Sequence, residues 1–336
     1  MSNMKPFLDP PHLKNSEGEE RRVGYEFEFT GVGLEESANL VKQLFGGTIE
    51  KLSTYEIEIN DSEFGSFKIE LDTQLLRDKK YEEILDSLGI SLENLKGIDV
   101  LEDSFMDLAS TVVPFEIVTP PIPLSEMNRL NLLVDELRRM RAKGTGSSII
   151  YAFGLHINPE VPDLVAESIL NHLRAYLLLD PWIRMDADIN ISRRLTPFIN
   201  EYEEDYLKYT LNPGYQPDLQ TLITDYFEFG NSRNRPLDLL PLFMYLDETT
   251  TTSLIEEELT SARPTYHYRL PDCKLDEEEW TLAKEWNYWV LVEQLADDNN
   301  VLDELSLDWL ELNDKTMIGF EKKWIKKMDE WVKDVR

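Results

Sequence analysis

Cysteine, basic residues and long apolar runs are all scarce in this chain, and each scarcity removes a class of explanation. A single cysteine, Cys273, cannot form an intrachain disulfide or build a Cys-cluster metal site. Lys and Arg number 34 against 65 Asp and Glu, a formal net charge of −31, so nucleic acid and anionic membrane are not expected partners. The longest apolar stretches, such as LDLLPLFMYL at 237–246, are broken by charge and fall short of the roughly 20 residues that cross a bilayer. The opening MSNMKPFLDPPHLKNSEGEE has no apolar run behind a basic end, so no signal peptide is expected and a cytoplasmic protein is the default reading.

Hydrophobic residues make up 42% and aromatics 10% of the chain, enough for a sizeable core and too much for a disordered one. No repeat, low-complexity segment or Gly/Ser/Pro linker divides it. One domain over 21–336 is therefore expected, behind a polar, unanchored arm over 1–20. The segment RRVGYEFEFTGVG (21–33) alternates like a strand, and residues 35–45 put Ala38, Val41, Leu44 and Phe45 on one helical face before Gly46-Gly47. YEIEIND (55–61) and FKIELD (67–72) alternate around a polar SEFGS, which predicts an antiparallel hairpin. A helix is expected over 125–143, from a Ser125 cap to Gly144, between the strand-like FEIVTPP (115–121) and IIYAFGLHIN (149–158). Further amphipathic helices are expected over 163–179, 218–228, 277–297 and 317–335. The fold class that follows is α+β.

The chemistry begins at GYEFEF. On a strand of period two, Glu26 and Glu28 share one face while Tyr25, Phe27 and Phe29 share the other. Two adjacent carboxylates repel, and a divalent ion such as Mg²⁺ would relieve that; an ordinary half-solvated strand gives the same pattern. Glu56 and Glu58 repeat it in a segment read as a solvent-facing hairpin. Glu116 sits between apolar neighbours just before Pro120-Pro121, and in AFGLHINPE the residues Gly154, His156 and Asn158 fall on one face. In SRNR, Arg233 and Arg235 bracket Asn234; paired guanidinium forks suit phosphate or carboxylate, or equally surface ion pairs. In SARPTYHYRLPD, Arg263, Thr265, His267 and Arg269 share a face opposite Tyr266 and Tyr268, which suggests an inward anion-binding wall. GTGSS (144–148) lacks the Lys-Ser/Thr ending of a phosphate loop and reads as a helix-to-strand turn.

GYEFEF, FEIVTPP, FGLHIN, SRNR and PTYHYRLPD occur in the order found in the carboxylate–amine ligase superfamily that includes glutamine synthetase and glutamate–cysteine ligase. Within it the chain resembles most closely the amidoligase family, over about residues 22–272. The resemblance implies a glutamine synthetase-like fold: a curved, largely antiparallel sheet with helices packed on its outer face. It implies ATP and Mg²⁺ or Mn²⁺ as cofactors. Glu26 and Glu28 would bind separate ions bracketing the ATP phosphates, with Glu116 as a further ligand and His156 joining the Glu26 ion; Glu70 is an additional metal candidate. Arg235 and Arg269 would be catalytic, Arg235 facing the transferred phosphoryl group. Arg233, Arg235, Arg263 and His267 would line the nucleotide, and His267 stands where glutamine synthetase carries a metal-binding Glu.

The implied activity is ATP-dependent amide formation between a small-molecule or peptide carboxylate and an amine co-substrate, through an acyl phosphate. Two other readings stay open. One is a catalytically silent scaffold that uses an aromatic surface built from Trp280, Trp286, Trp289, Trp324 and Trp331. The other is a metal-dependent amide hydrolase using the same acids.

Overall fold

The computed structural model describes residues 6–71, 114–145, 153–190, 200–229, 234–255, 261–316 and 318–335. Its centre is β1 (Arg22–Phe29). Val23, Tyr25, Phe27 and Phe29 are all fully buried, so the period of the strand sends every second residue into the core and turns Glu26 and Glu28 to the other side. Fully burying one such side chain stabilises by about 1.5–3 kcal/mol, which fixes this parity: a one-residue slip would exchange four core residues for Arg22, Gly24, Glu26 and Glu28.

One open sheet forms around β1, and every pairing described in it is antiparallel. Its order is β2 (Thr48–Lys51), β3 (Glu56–Ser62), β4 (Gly65–Leu71), β5 (Phe115–Val118), β1, β7 (Leu155–Pro159), β9 (His267–Tyr268), β8 (Leu237–Asp238), with the short β6 (Ile122–Pro123) also on β1. The register sets Glu28 opposite Glu116, Glu116 opposite Glu70, and Glu26 opposite His156. The expected hairpin is present as β3–β4. The mixed α+β class holds, with more helix than strand.

Helices cover the apolar side. α1 (Leu34–Phe45) ends at Gly46, whose φ of 74° and amide bond to Lys42 make it the expected stop. The expected 125–143 helix is instead a 3₁₀ turn, Leu124–Arg129, followed by α2 (Leu130–Arg139). Ser125 does not cap it; its amide is taken by the Glu20 carboxylate at 2.8 Å. Nor does Gly144 terminate it, since the chain already reverses at Arg141, φ 66°. Gly144 serves a close approach: a Cβ there would lie 1.9 Å from the Cys273 carbonyl oxygen.

α3 (Ala166–Asp186) runs longer than expected, through Pro181, and Asp180 accepts from both Tyr176 Oη (2.6 Å) and Arg184 Nε (2.8 Å) across that step. α8 (Leu282–Asp297) starts five residues later than expected, at a Thr281 cap, and is buried on most sides. Between α3 and α8 come α4 (Glu204–Thr210), α5 (Leu219–Glu228), α6 (Leu240–Leu246) and α7 (Glu248–Leu254). α9 (Asn299–Lys315), which no expectation covered, and α10 (Phe320–Val335) complete the layer. Tyr266 and Tyr268 press back onto it, with ring centroids 5.1 and 5.6 Å from Trp289. Trp280, Trp286, Trp289 and Trp324 are core residues rather than an exposed aromatic face.

Two further departures matter. The 263–269 segment is not one extended strand: Pro264 sits in a tight turn closed by the Thr265 amide on the Arg263 carbonyl (2.8 Å), beyond which Thr265 makes an isolated bridge to Glu160 and 267–268 forms β9. The N-terminal arm is anchored. Leu8 and Pro6 exchange hydrogen bonds with Asn287 (2.9 and 3.0 Å), Trp286 Nε1 donates to the Leu8 carbonyl (2.9 Å), and His12 meets Asp297 at 2.7 Å. Among the described residues, no helix is long and apolar enough to cross a membrane.

Candidate active site

The polar side of β1, β5, β7 and β9 gathers a compact set of acids and imidazoles. Glu26, His156 and His267 form one group whose ligand atoms lie within 4.8 Å of one another, and Glu28, Glu116 and His156 form a second. His156 belongs to both. Its Nδ1 lies 2.7 Å from Glu26 Oε2 and its Nε2 3.5 Å from Glu28 Oε1. The sequence produces this directly, because the β1–β7 register sets Glu26 opposite His156 and strand parity turns Glu28 to the same face.

The carboxylates are withdrawn but reachable, with side-chain exposures of 12% for Glu26 and 11% for Glu28. Glu28 Oε2 accepts from the Gly154 amide at 2.5 Å. Glu26 Oε1 accepts from Asn158 Nδ2 at 2.9 Å. Burial alone would raise the Glu26 carboxyl, but the imidazoles of His267 and His156 and the Arg263 guanidinium outweigh it and hold the group well below the usual carboxylate range. His267 is pushed well down, first by burial and then by Arg269, His156 and Arg263, against the pull of Glu26. Glu26 is thus an anion and His267 a neutral imidazole at physiological pH, the forms in which each residue binds a metal.

Both groups suit a divalent cation on donor chemistry. Two carboxylates with an imidazole, and one carboxylate with two imidazoles, are mixed oxygen and nitrogen sets, which Mn²⁺ accepts at least as well as the more oxygen-demanding Mg²⁺. His267 Nε2 is buried without a hydrogen-bond partner, an atom such a cation would satisfy. His156 is thus shared, its Nδ1 engaged by Glu26 and its Nε2 facing Glu28.

The remaining expectations divide. Arg263 reaches the cluster, its Nη2 lying 2.9 Å from His267 Nδ1, 3.0 Å from Asn158 Oδ1 and 3.5 Å from Glu26 Oε1. Arg269 stands close enough to His267 to act on its charge, with its backbone amide on the Pro236 carbonyl at 2.8 Å. Glu70 lies in register beside Glu116 but outside both groups; its Oε2 meets Lys68 Nζ at 2.9 Å. The same Lys68 pairs with Glu56 at 3.1 Å, so the outer acids of this ladder carry their own cation.

Arg235 is buried, 3% exposed, and its guanidinium donates to the carbonyls of Glu201 (2.9 Å) and Phe229 (3.4 Å) and lies 4.5 Å from the Tyr202 ring centroid. Arg233 lies outside the described residues.

Asn158 is the site residue the sequence reading did not assign, although its parity with His156 placed it on the right face. It links Glu26 to Arg263. Of GTGSS, Gly144 and Thr145 are described, the Thr145 amide and hydroxyl binding the Cys273 and Phe153 carbonyls, and 146–148 lie outside the described residues.

A model of the family described as "Putative amidoligase enzyme" matches residues 19–291 of the chain. That span takes in every strand among the described residues and all of the residues just discussed. No curated protein and no solved structure matches it.

Proposed function

We propose, from the premise that this chain belongs to the amidoligase family, that it is a metal-dependent, ATP-driven ligase joining a carboxylate to an amine on the polar face of its sheet. The observation that carries the reading is the pair of abutting ligand groups built around His156. Glu28, Glu116 and His156 would hold one divalent ion, and Glu26 with His267 a second. Such ions would offset the charge of ATP and of an incoming carboxylate, which otherwise meet a wall of acids. A glutamine synthetase-like architecture, with its helices on the outer face, is part of the same proposal.

A carboxylate is a poor acyl donor because its leaving group would be oxide. Transfer of the γ-phosphoryl group makes an acyl phosphate and ADP; the amine then attacks the acyl carbon and inorganic phosphate leaves. The chain's own residues position this chemistry. Glu26 and Asn158 orient one another, His156 is held between two carboxylates, and Arg263 and Arg269 supply positive charge at the rim for anionic groups. The shallow burial of the acids lets substrates reach them while limiting water.

Thermal unfolding with Mn²⁺ or Mg²⁺, with and without ATP, tests the reading, alongside ADP release from mixed pools of acids and amines. At a concentration 100-fold above Kd an ion or nucleotide stabilises by about 2.7 kcal/mol. Glu28→Gln should remove most of the metal-dependent part. No shift from metal with ATP in the wild type at millimolar concentration would favour a silent scaffold, and a metal-dependent amide cleavage indifferent to ATP would favour a hydrolase.

A further inference from the structure

We propose that Arg263 is a built-in stand-in for the cation of the Glu26 group, and that ion binding there expels its guanidinium, freeing it for an anionic substrate. The proposal rests on the metal half of the reading above and not on its ATP chemistry.

A guanidinium only donates hydrogen bonds. Arg263 Nη2 lies 2.9 Å from His267 Nδ1, so Nδ1 offers its lone pair and the proton of the neutral ring is assigned to Nε2. That Nε2 is buried and finds no acceptor. An ion that binds through Nδ1 must take the place of the Arg263 N–H. An ion that binds through Nε2 displaces the ring proton to Nδ1, where it faces the same N–H, donor against donor. Either route breaks the Arg263–His267 contact. The two other acceptors around Nη2, Asn158 Oδ1 at 3.0 Å and Glu26 Oε1 at 3.5 Å, complete a ring of lone pairs of the kind a metal ion occupies.

The guanidinium is built to leave. It is held there through Nη2 while its Nε is buried with no hydrogen-bond partner. Its side chain is 33% exposed, so a rotamer change carries the charge outward. The backbone stays in place, with the Arg263 amide on the Pro241 carbonyl at 3.0 Å and the tight turn at Pro264 behind it. A guanidinium released at the rim when the ion arrives is available to a phosphate or carboxylate at that moment, which couples cation and anion binding.

Calorimetry with Mn²⁺ alone, on wild type, Arg263→Gln and Arg269→Gln, tests this without any substrate. Loss of the competing donor should tighten Mn²⁺ binding in Arg263→Gln by about tenfold, the scale of neighbour effects at metal centres. Arg269→Gln removes an equal charge beside His267 and should change affinity much less. Nitrogen-15 spectra of the histidines, with Zn²⁺ as a diamagnetic probe, should show His267 protonated at Nε2 without metal and losing that state when metal binds. Inorganic phosphate should then bind more tightly to the Mn²⁺-loaded wild type than to the metal-free protein, with a smaller gain in Arg263→Gln. Equal changes in the two variants, weaker Mn²⁺ binding in Arg263→Gln, or an unchanged His267 spectrum in protein that binds metal would overturn the exchange while leaving the metal reading intact. Absence of metal binding in every form would overturn both.

Discussion

Two carboxylates withdrawn from water, Glu26 on the open side of the sheet and Glu285 on its helical side, are driven in opposite directions. Burial and then the charge of Asp272 push Glu285 up to about 8, against the pull of Lys284 and Lys274, and its Oε2 finds no hydrogen-bond partner. Glu26 feels burial too, yet its neighbours hold it ionised. A third acid, Glu293, shows what a finished core ion pair looks like: Arg21 grips it with two bonds of 2.7 and 2.8 Å, Trp289 Nε1 adds a third at 2.6 Å, and the remaining Arg21 donors end on the His12 and Glu160 carbonyls. The helical side thus neutralises an acid with a proton or saturates it with a partner. The open side keeps acids charged with groups that are shared, as His156 is, or displaceable, as Arg263 is.

The sharpest way to break this contrast is to open the saturated pair. Arg21→Ala leaves the Glu293 charge buried and should cost about 3–5 kcal/mol in urea unfolding. A cost of that size from Glu26→Gln in the metal-free protein would erase the difference between the two sides.

Next comes pH. Glu285 has a folded value of about 8 against an ordinary 4.5, so between those values the folded chain holds a proton that the unfolded chain has released. Its effect on stability is therefore unfavourable with rising pH across that window, negligible below about 4.5 and complete above about 8. Glu285→Gln should flatten the decline and gain on the order of 4 kcal/mol over wild type at pH 8, with little difference at pH 4.5. Unfolding midpoints at the two pH values decide it; parallel profiles would mean that Glu285 is ionised in the fold.

The smallest effect sharpens the border of the site. Glu70 continues the carboxylate row beside Glu116 but already pairs with Lys68. Glu70→Gln should change stability by less than about 1 kcal/mol and leave Mn²⁺ affinity unchanged. A loss of affinity like that of Glu28→Gln would move the border outward to β4.

What the sequence made legible was whatever a short period encodes. Alternation placed Glu26, Glu28, Glu116, His156 and His267 on one face, and family order brought those strands together. The Arg263 contact was not legible as alternation, because residues four apart on an extended strand cannot touch; the turn at Pro264 folds them together. For Arg235 the local pattern does not separate two settings: a guanidinium beside a polar motif reads the same whether it faces a ligand or a set of backbone carbonyls. The arm misled through its polarity, because its anchors, Asn287 and Trp286, lie some 280 positions away in the chain. α9 carries an Asp298 cap and a Leu302, Leu305, Trp309 stripe that are visible in the sequence.

That distant anchoring has a kinetic side. The helix that receives the arm lies some 280 positions after it in the chain, so the arm cannot dock until α8 has been made. Contacts of such long range form late and slowly. Until α8 is in place, Arg21 has no Glu293 and Leu8 no Trp286, so the growing chain carries an Arg21 charge whose buried partner is missing.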